Sequence, residues 1–220
     1  MNKIKIALPA GSLKEKTLKI LNNSGMLLSG TDRSYVLTQE NTDGYEYMLV
    51  KSQEIGGFVE RGLFDIGVVG MDWVAEYKSD VEIIKTFEYS KRAWRSVRLV
   101  LAVPEKSFIR APKDLDGKTI ATEFVEITKT YLEKNGIDAF VEFSWGATES
   151  KPFYSCDAIV DVVDTGNSLS ANNLRVVEEI FVSPICIVAN RNVFNEKGKT
   201  KPIDSFVEMF SQGYKKSALQ

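Results

Sequence analysis

The run Ala158-Ile159-Val160-Asp161-Val162-Val163 is apolar on both of its alternating sides but for one acid. A strand of that kind is stable only when both faces are covered, which points to a layered α/β fold. Comparable short runs occur at residues 4–8, 64–69, 96–103 and 185–189. Segments with apolar residues near helical spacing lie among them, at 13–22, 53–61, 127–134 and 203–214. Strands also fit 36–39, 45–50, 81–87, 119–121, 139–143 and 176–181, with a hairpin turn at Asn41-Thr42-Asp43-Gly44 and Ser52 placed to cap the second helix. Only 192–201 reads as a loosely held loop.

Strands alternating with helices imply mixed, mainly parallel sheets covered on both faces, and two such stretches imply two lobes with a cleft between them. Residues 1–90 plus 180–220 are assigned to the first lobe and 91–179 to the second.

Composition limits the chemistry. A net charge of −2 argues against general nucleic-acid binding, which needs a basic face. No apolar run approaches the roughly 20 residues of a membrane span, and the N-terminal stretch lacks the apolar core of a secretion signal, so a cytoplasmic protein is expected. Histidine is absent, which removes Ser-His and Cys-His nucleophiles and histidine-ligated metals. Cys156 and Cys186 sit in apolar runs without metal spacing and read as buried free thiols. Trp73, Trp94 and Trp145 read as packing residues rather than adenine platforms, and Asp72 as a helix cap.

The strand from 158 to 163 leads into Asp164-Thr165-Gly166-Asn167-Ser168-Leu169. Amides and hydroxyls of such a turn can converge on a phosphate, and Asp161 and Asp164 can hold ribose hydroxyls or a magnesium ion. A strand followed by a helix cap, with no ligand, fits the same residues.

This strand and turn resemble the phosphoribosyl-pyrophosphate loop of the ATP phosphoribosyltransferases. Further segments agree in order: Ala7-Leu8-Pro9 with Gly11, Val59-Glu60-Arg61-Gly62, Asp65-Ile66-Gly67, Gly70-Met71-Asp72, Arg98-Leu99-Val100, Ile120-Ala121-Thr122, and Gly146 with Glu149. The resemblance implies a two-lobed fold like that of type II periplasmic binding proteins. It also implies the first step of histidine biosynthesis, in which N1 of ATP attacks C1 of phosphoribosyl pyrophosphate and magnesium-bound pyrophosphate leaves. Donor binding would fall to Asp161, Asp164, Thr165, Gly166, Asn167, Ser168 and Leu169, and Mg2+ to Asp161 and Asp164. ATP would meet Gly11, Lys51, Arg98 and Glu149. Only a loop and one helix follow residue 190, which implies the short form of the family, a homo-oligomer that also assembles with a regulatory subunit similar to histidyl-tRNA synthetase.

The chain departs from the family pattern on the ATP side. Ala10-Gly11-Ser12 stands where Lys-Gly-Arg is usual, Lys51-Ser52 where Arg-Pro is usual, and Glu123 where a basic residue is expected. Two other readings therefore accompany the enzyme: a non-catalytic paralogue that keeps donor binding, and a two-lobed small-solute-binding protein.

Overall fold

The computed structural model describes residues 3–30, 34–39 and 44–219; most of the expected hairpin turn, Asn41-Thr42-Asp43, lies outside the described residues. The chain divides into two compact units, Met1–Arg95 with Pro184–Gln220, and Ser96–Ser183. The sequence placed these divisions at 90/91 and 179/180.

The first unit begins with β1 (Ile4–Ala10), α1 (Lys14–Asn23), β2 (Leu28–Ser29), β3 (Val36–Gln39) and β4 (Tyr45–Lys51). It continues through α2 (Ser52–Glu60), β5 (Ile66–Gly70), α3 (Met71–Glu76) and β6 (Glu82–Phe87). The second unit holds β7 (Val97–Pro104), β8 (Thr119–Thr122), α4 (Val125–Asn135), β9 (Phe140–Phe143), β10 (Ala158–Val163), α5 (Asn167–Ala171) and β11 (Leu174–Ser183). The chain then returns to the first unit as β12 (Ile185–Ala189) and α6 (Thr200–Ala218).

Seven strands form one sheet in the order β2-β3-β4-β1-β5-β12-β6, and five form the other in the order β11-β7-β10-β8-β9. Pairing is mixed, but it is not mainly parallel as the sequence suggested. Parallel ladders join β1 to β4 and β5, and β8 to β10 and β9. The other pairings are antiparallel, those of β12 with β5 and β6 and of β7 with β10 and β11 among them. The strands on either side of the crossings between units supply much of this antiparallel content.

Side-chain alternation builds the first unit's core on both faces of its sheet. Ile4, Ile6 and Leu8 of β1 pack with Ile20 and Leu21 of α1 and with Ile203, Phe206 and Phe210 of α6. Ala7, between them in sequence, packs on the opposite side with Ile55 and Val59 of α2. Along β12, Ile185 and Ile187 face the first cluster and Cys186 and Val188 the second. Helix α6 closes tightly on α1: a Cβ added to Gly213 would meet the Ile20 carbonyl oxygen at 2.0 Å.

Three local expectations are corrected. Ser52 is the first residue of α2 and makes no capping bond; Lys51 occupies the cap position because the strand runs straight into the helix. Asp72 lies inside α3, whose cap position is Gly70, and its carboxylate accepts the Trp73 amide at 2.8 Å. The segment 192–201 is pinned rather than loose. Lys199 Nζ binds Asp65 Oδ1 at 2.7 Å and Glu196 Oε2 at 2.6 Å, while Asp65 Oδ2 accepts the Lys5 amide at 2.8 Å. That anchoring joins residues far apart in sequence, so local composition carried no sign of it. Both cysteines are free; Cys186 is buried and Cys156 half-buried.

Candidate functional site

Strand β10 lies between β7 and β8 in the five-stranded sheet, and Val160 pairs in parallel with Thr122, the last residue of β8. Loops beyond the carboxyl ends of parallel strands are where α/β sheets open to ligands. Alternation places Asp161 on the side of Ile159 and Val163, which pack with Leu169 of α5. Apolar burial thus holds a carboxylate at the mouth of the sheet.

Asp161 is half-buried, and its Oδ1 accepts the amide of Val162 at 2.7 Å. Burial pushes its carboxyl up to about 7, against the opposing Val162 amide, and the fields of Glu149 and then Glu123 add to the rise. Glu123 is itself raised, first by burial and then by Glu149. These acids come from three elements: β10, the β8–α4 junction, and a short 3-10 turn at Thr148–Phe153 that packs against β7, β8 and β10. Among the described residues, none of the three pairs with a lysine or arginine.

The turn carrying Glu149 is held by a buried contact between the Ser144 and Thr148 hydroxyls, 2.8 Å apart. Ala147 has a left-handed φ of 48° beside Gly146 at 119°. A non-glycine residue there costs about 1 kcal/mol or more, which the surrounding contacts must offset. Glu149 in turn accepts a hydrogen bond from the hydroxyl of Ser168.

After Val163 the chain bends through Asp164 and Thr165 into Gly166, whose φ of 82° suits a residue without a Cβ, and enters α5. The Gly166 carbonyl accepts the Ser170 amide at 3.2 Å, and the Ser168 carbonyl accepts both the amide and the side-chain nitrogen of Asn172. The amides of Gly166, Asn167, Ser168 and Leu169 find no protein acceptor among the described residues. Thr165, Asn167 and Ser168 are exposed, whereas Leu169 is buried in the core, so only its backbone is available to a ligand.

The structure therefore brings Asp161, Glu149 and Ser168 together with the loop at 164–169. Glu123 joins them, although the sequence registered it only as a departure in charge; its position directly after Thr122, at a strand end, was the available signal. The ATP-side candidates divide between the units: Gly11 follows Ala10, the register partner of Lys51, in the first, and Arg98 and Glu149 belong to the second. Gly11 is exposed at the end of β1 with φ 85°, and Lys51 is exposed at the end of β4. Arg98, on β7, is exposed and bound to Glu179 at 3.2 Å. Trp145 contradicts the packing expectation: it is 92% exposed and meets only the edge of Phe143, because the strand before it ends at the margin of the sheet. Trp73 and Trp94 are half-buried; Trp94 packs near Tyr89 and Tyr214, with Lys16 Nζ 4.7 Å from its ring centre.

Four uncommitted amides beside carboxylates can hold a ligand that carries an anionic group at one end and hydroxyls, a metal ion or developing positive charge at the other.

Comparisons with known proteins identify a family. The family model described as ATP phosphoribosyltransferase (HisG) matches residues 51–212. The ATP phosphoribosyltransferase of Chlorobium phaeobacteroides is 48% identical over 96% of this chain and 71% of its own length. That of Thermodesulfovibrio yellowstonii is 44% identical with the same two coverages. Among solved structures, the ATP phosphoribosyl transferase (HisG:HisZ) complex from Thermotoga maritima superposes with a TM-score of 0.80 at 26% identity. It covers 96% of this chain and 98% of that one. The periplasmic aliphatic sulphonate binding protein SsuA of Escherichia coli shares the two-lobed fold alone, at a TM-score of 0.60 and 15% identity over 97% of this chain and 69% of that one.

Proposed function

Because the chain belongs to the ATP phosphoribosyltransferase family of histidine-biosynthesis enzymes, we propose that the loop from Asp164 to Leu169 holds the phosphoribosyl donor. The family joins N1 of ATP to C1 of phosphoribosyl pyrophosphate and releases pyrophosphate. The amides of Gly166 to Leu169, with the hydroxyls of Thr165 and Ser168, bind the donor's 5′-phosphate. Asp161 and Asp164 accept hydrogen bonds from the ribose hydroxyls, with the Asn167 side chain alongside. The observation that carries this reading is the run of four uncommitted amides at the end of β10.

Asp161 has a second task. Displacement at C1 places positive charge on the ribosyl ring, and a carboxylate held in an apolar setting stabilises that charge more strongly than one in water. Mg2+ fits the same residues: the donor set is hard oxygen, and the Asp161 carboxylate forms no ion pair with a lysine or arginine among the described residues. The described residues contain no group of three acidic, histidine or cysteine side chains able to hold a metal, so the ion would rest on Asp161 and Asp164 together with substrate oxygens. When bound, it would supply charge neutralisation for the departing pyrophosphate.

ATP contacts are assigned to Gly11 and Lys51 in the first unit and to Arg98 and Glu149 in the second, on the strength of the family resemblance. Assembly with a regulatory subunit is part of the proposal, supported by the Thermotoga maritima complex. So is a cytoplasmic location; no described helix is long and apolar enough to cross a membrane.

Isothermal titration of phosphoribosyl pyrophosphate into the parent and into an Asp161→Ala, Thr165→Ala variant tests the donor site. A large loss of affinity is expected, and unchanged affinity would remove the assignment. Consumption of ATP and donor, measured with and without the regulatory partner, tests the reaction itself.

A further inference from the structure

Strand β7 lies between β10 and β11 and runs antiparallel to both, so its first residues stand at the same end of the sheet as the donor loop. Arg98 is the register partner of Val163, the last residue of β10 before that loop, and Asp161 is the partner of Val100. Alternation then puts Arg98, Val100, Asp161 and Val163 on one face, where Val100 and Val163 pack with Leu169 of α5. Arg98 is thus the diagonal neighbour of Asp161 across the ladder, at a spacing of roughly 7–8 Å that a long side chain can bridge.

A guanidinium carries several N–H donors in a fixed fork. Among the described residues the Arg98 side chain commits one, donating from Nη1 to Glu179 Oε2 on β11 at 3.2 Å. Both side chains are close to half exposed, so the pair adds little to stability. Its effect is to hold the fork on this face with other donors uncommitted.

The two flanks of Asp161 differ in charge. On the β8 side stands Glu123, whose field acts on Asp161 together with that of Glu149, and a polyphosphate would be repelled there. On the β7 side stands Arg98. A donor held by its 5′-phosphate on the loop amides, with its ribose on Asp161, must still place the pyrophosphate borne on C1, and the cationic flank favours that group. Given the donor loop at Asp164 to Leu169, on which this rests, we propose that Arg98 binds the donor's pyrophosphate, a role beyond the ATP contact assigned by resemblance, and that Glu179 is a positioning residue that aims the guanidinium.

Isothermal titration of the full chain with phosphoribosyl pyrophosphate and with ribose 5-phosphate, which lacks the leaving group, is the test. Arg98→Ala is expected to weaken the first at least about tenfold, as loss of a charge-assisted bond implies, and to leave the second within about twofold. Arg98→Lys should recover only part of the loss, because a point charge does not reproduce the fork. Glu179→Ala should weaken phosphoribosyl pyrophosphate several-fold in the parent and have no effect once Arg98 is alanine; a purely structural Glu179 would cost the same in both backgrounds. Circular dichroism melts identify any variant that fails to fold, and Arg98→Lys keeps the test valid if Arg98→Ala does. Equal losses for the two ligands, an undiminished affinity for phosphoribosyl pyrophosphate, or additive effects of the two alanine substitutions would each overturn the proposal. Failure of the donor loop itself reads differently: ribose 5-phosphate would then bind the Asp161→Ala, Thr165→Ala variant as tightly as the parent, and both readings would fall.

Discussion

The hydroxyl of Ser168 donates to the carboxylate of Glu149, 19 positions earlier in the chain, so the acid occupies a donor that the proposed phosphate site would use. Glu149→Ala should free that hydroxyl and remove a negative charge near Asp161. Inorganic phosphate is then expected to bind several-fold more tightly, by roughly 0.5–1.5 kcal/mol, the usual net value of one hydrogen bond. Titration calorimetry with phosphate reads the affinity, and carbon NMR of the Asp161 carboxyl should show its midpoint moving down.

Asp161 makes the ligand-free protein's stability depend on pH with a definite sign. Its carboxyl is raised from 3.8 to about 7 on folding, so between those values the folded chain holds a proton that the unfolded chain has released. The group's stabilising contribution is complete below the lower value and is lost as pH climbs through the upper one. Asp161→Asn should therefore gain on the parent progressively from acid to neutral pH and hold that gain in mild alkali. The plateau should be on the order of 1–2 kcal/mol, less than the full shift because water reaches the group. Thermal melts at pH 4.5 and 8, conditions chosen to bracket roughly the acid and alkaline limits, compare the two proteins.

Gly166→Ala puts a side chain on a backbone at φ 82°. Nothing crowds the new methyl, since the nearest atom is 4.0 Å away on Val163, so the cost of about 1 kcal/mol is conformational. The loop should relax by turning its amides, and donor affinity should fall more than stability does. Calorimetry alongside a urea titration separates the two effects; equal losses would argue against an amide cradle.

Lys199→Met should cost about 2–3 kcal/mol, because it leaves the largely buried Asp65 carboxylate with the Lys5 amide but no cation. Adding Asp65→Asn should recover part of the loss. Urea unfolding of the single and double variants provides the measurement.

How legible all this was depended on sequence distance. The strand at 158–163 and the loop after it were readable because one contiguous stretch supplies the apolar run, the acids and the glycine bend. The conjunction of Asp161 with Glu123 and Glu149 was not, since it follows from the pairing of β8 with β10 and the packing of a 3-10 turn. Lys199 escaped for the same reason: its partner Asp65 is 134 residues away. Trp145 misled because bulk and apolarity predict burial only when another element is there to cover the residue. The antiparallel content was hidden because strand composition reports coverage rather than direction.

Gly213 against Ile20 joins the last helix of the chain to the first. On a ribosome, the contiguous unit from Ser96 to Ser183 is fully synthesised while the opening half still lacks β12 and α6. The nascent N-terminal strands must then wait with a bare flank, and chaperone demand during translation should concentrate on that half of the molecule.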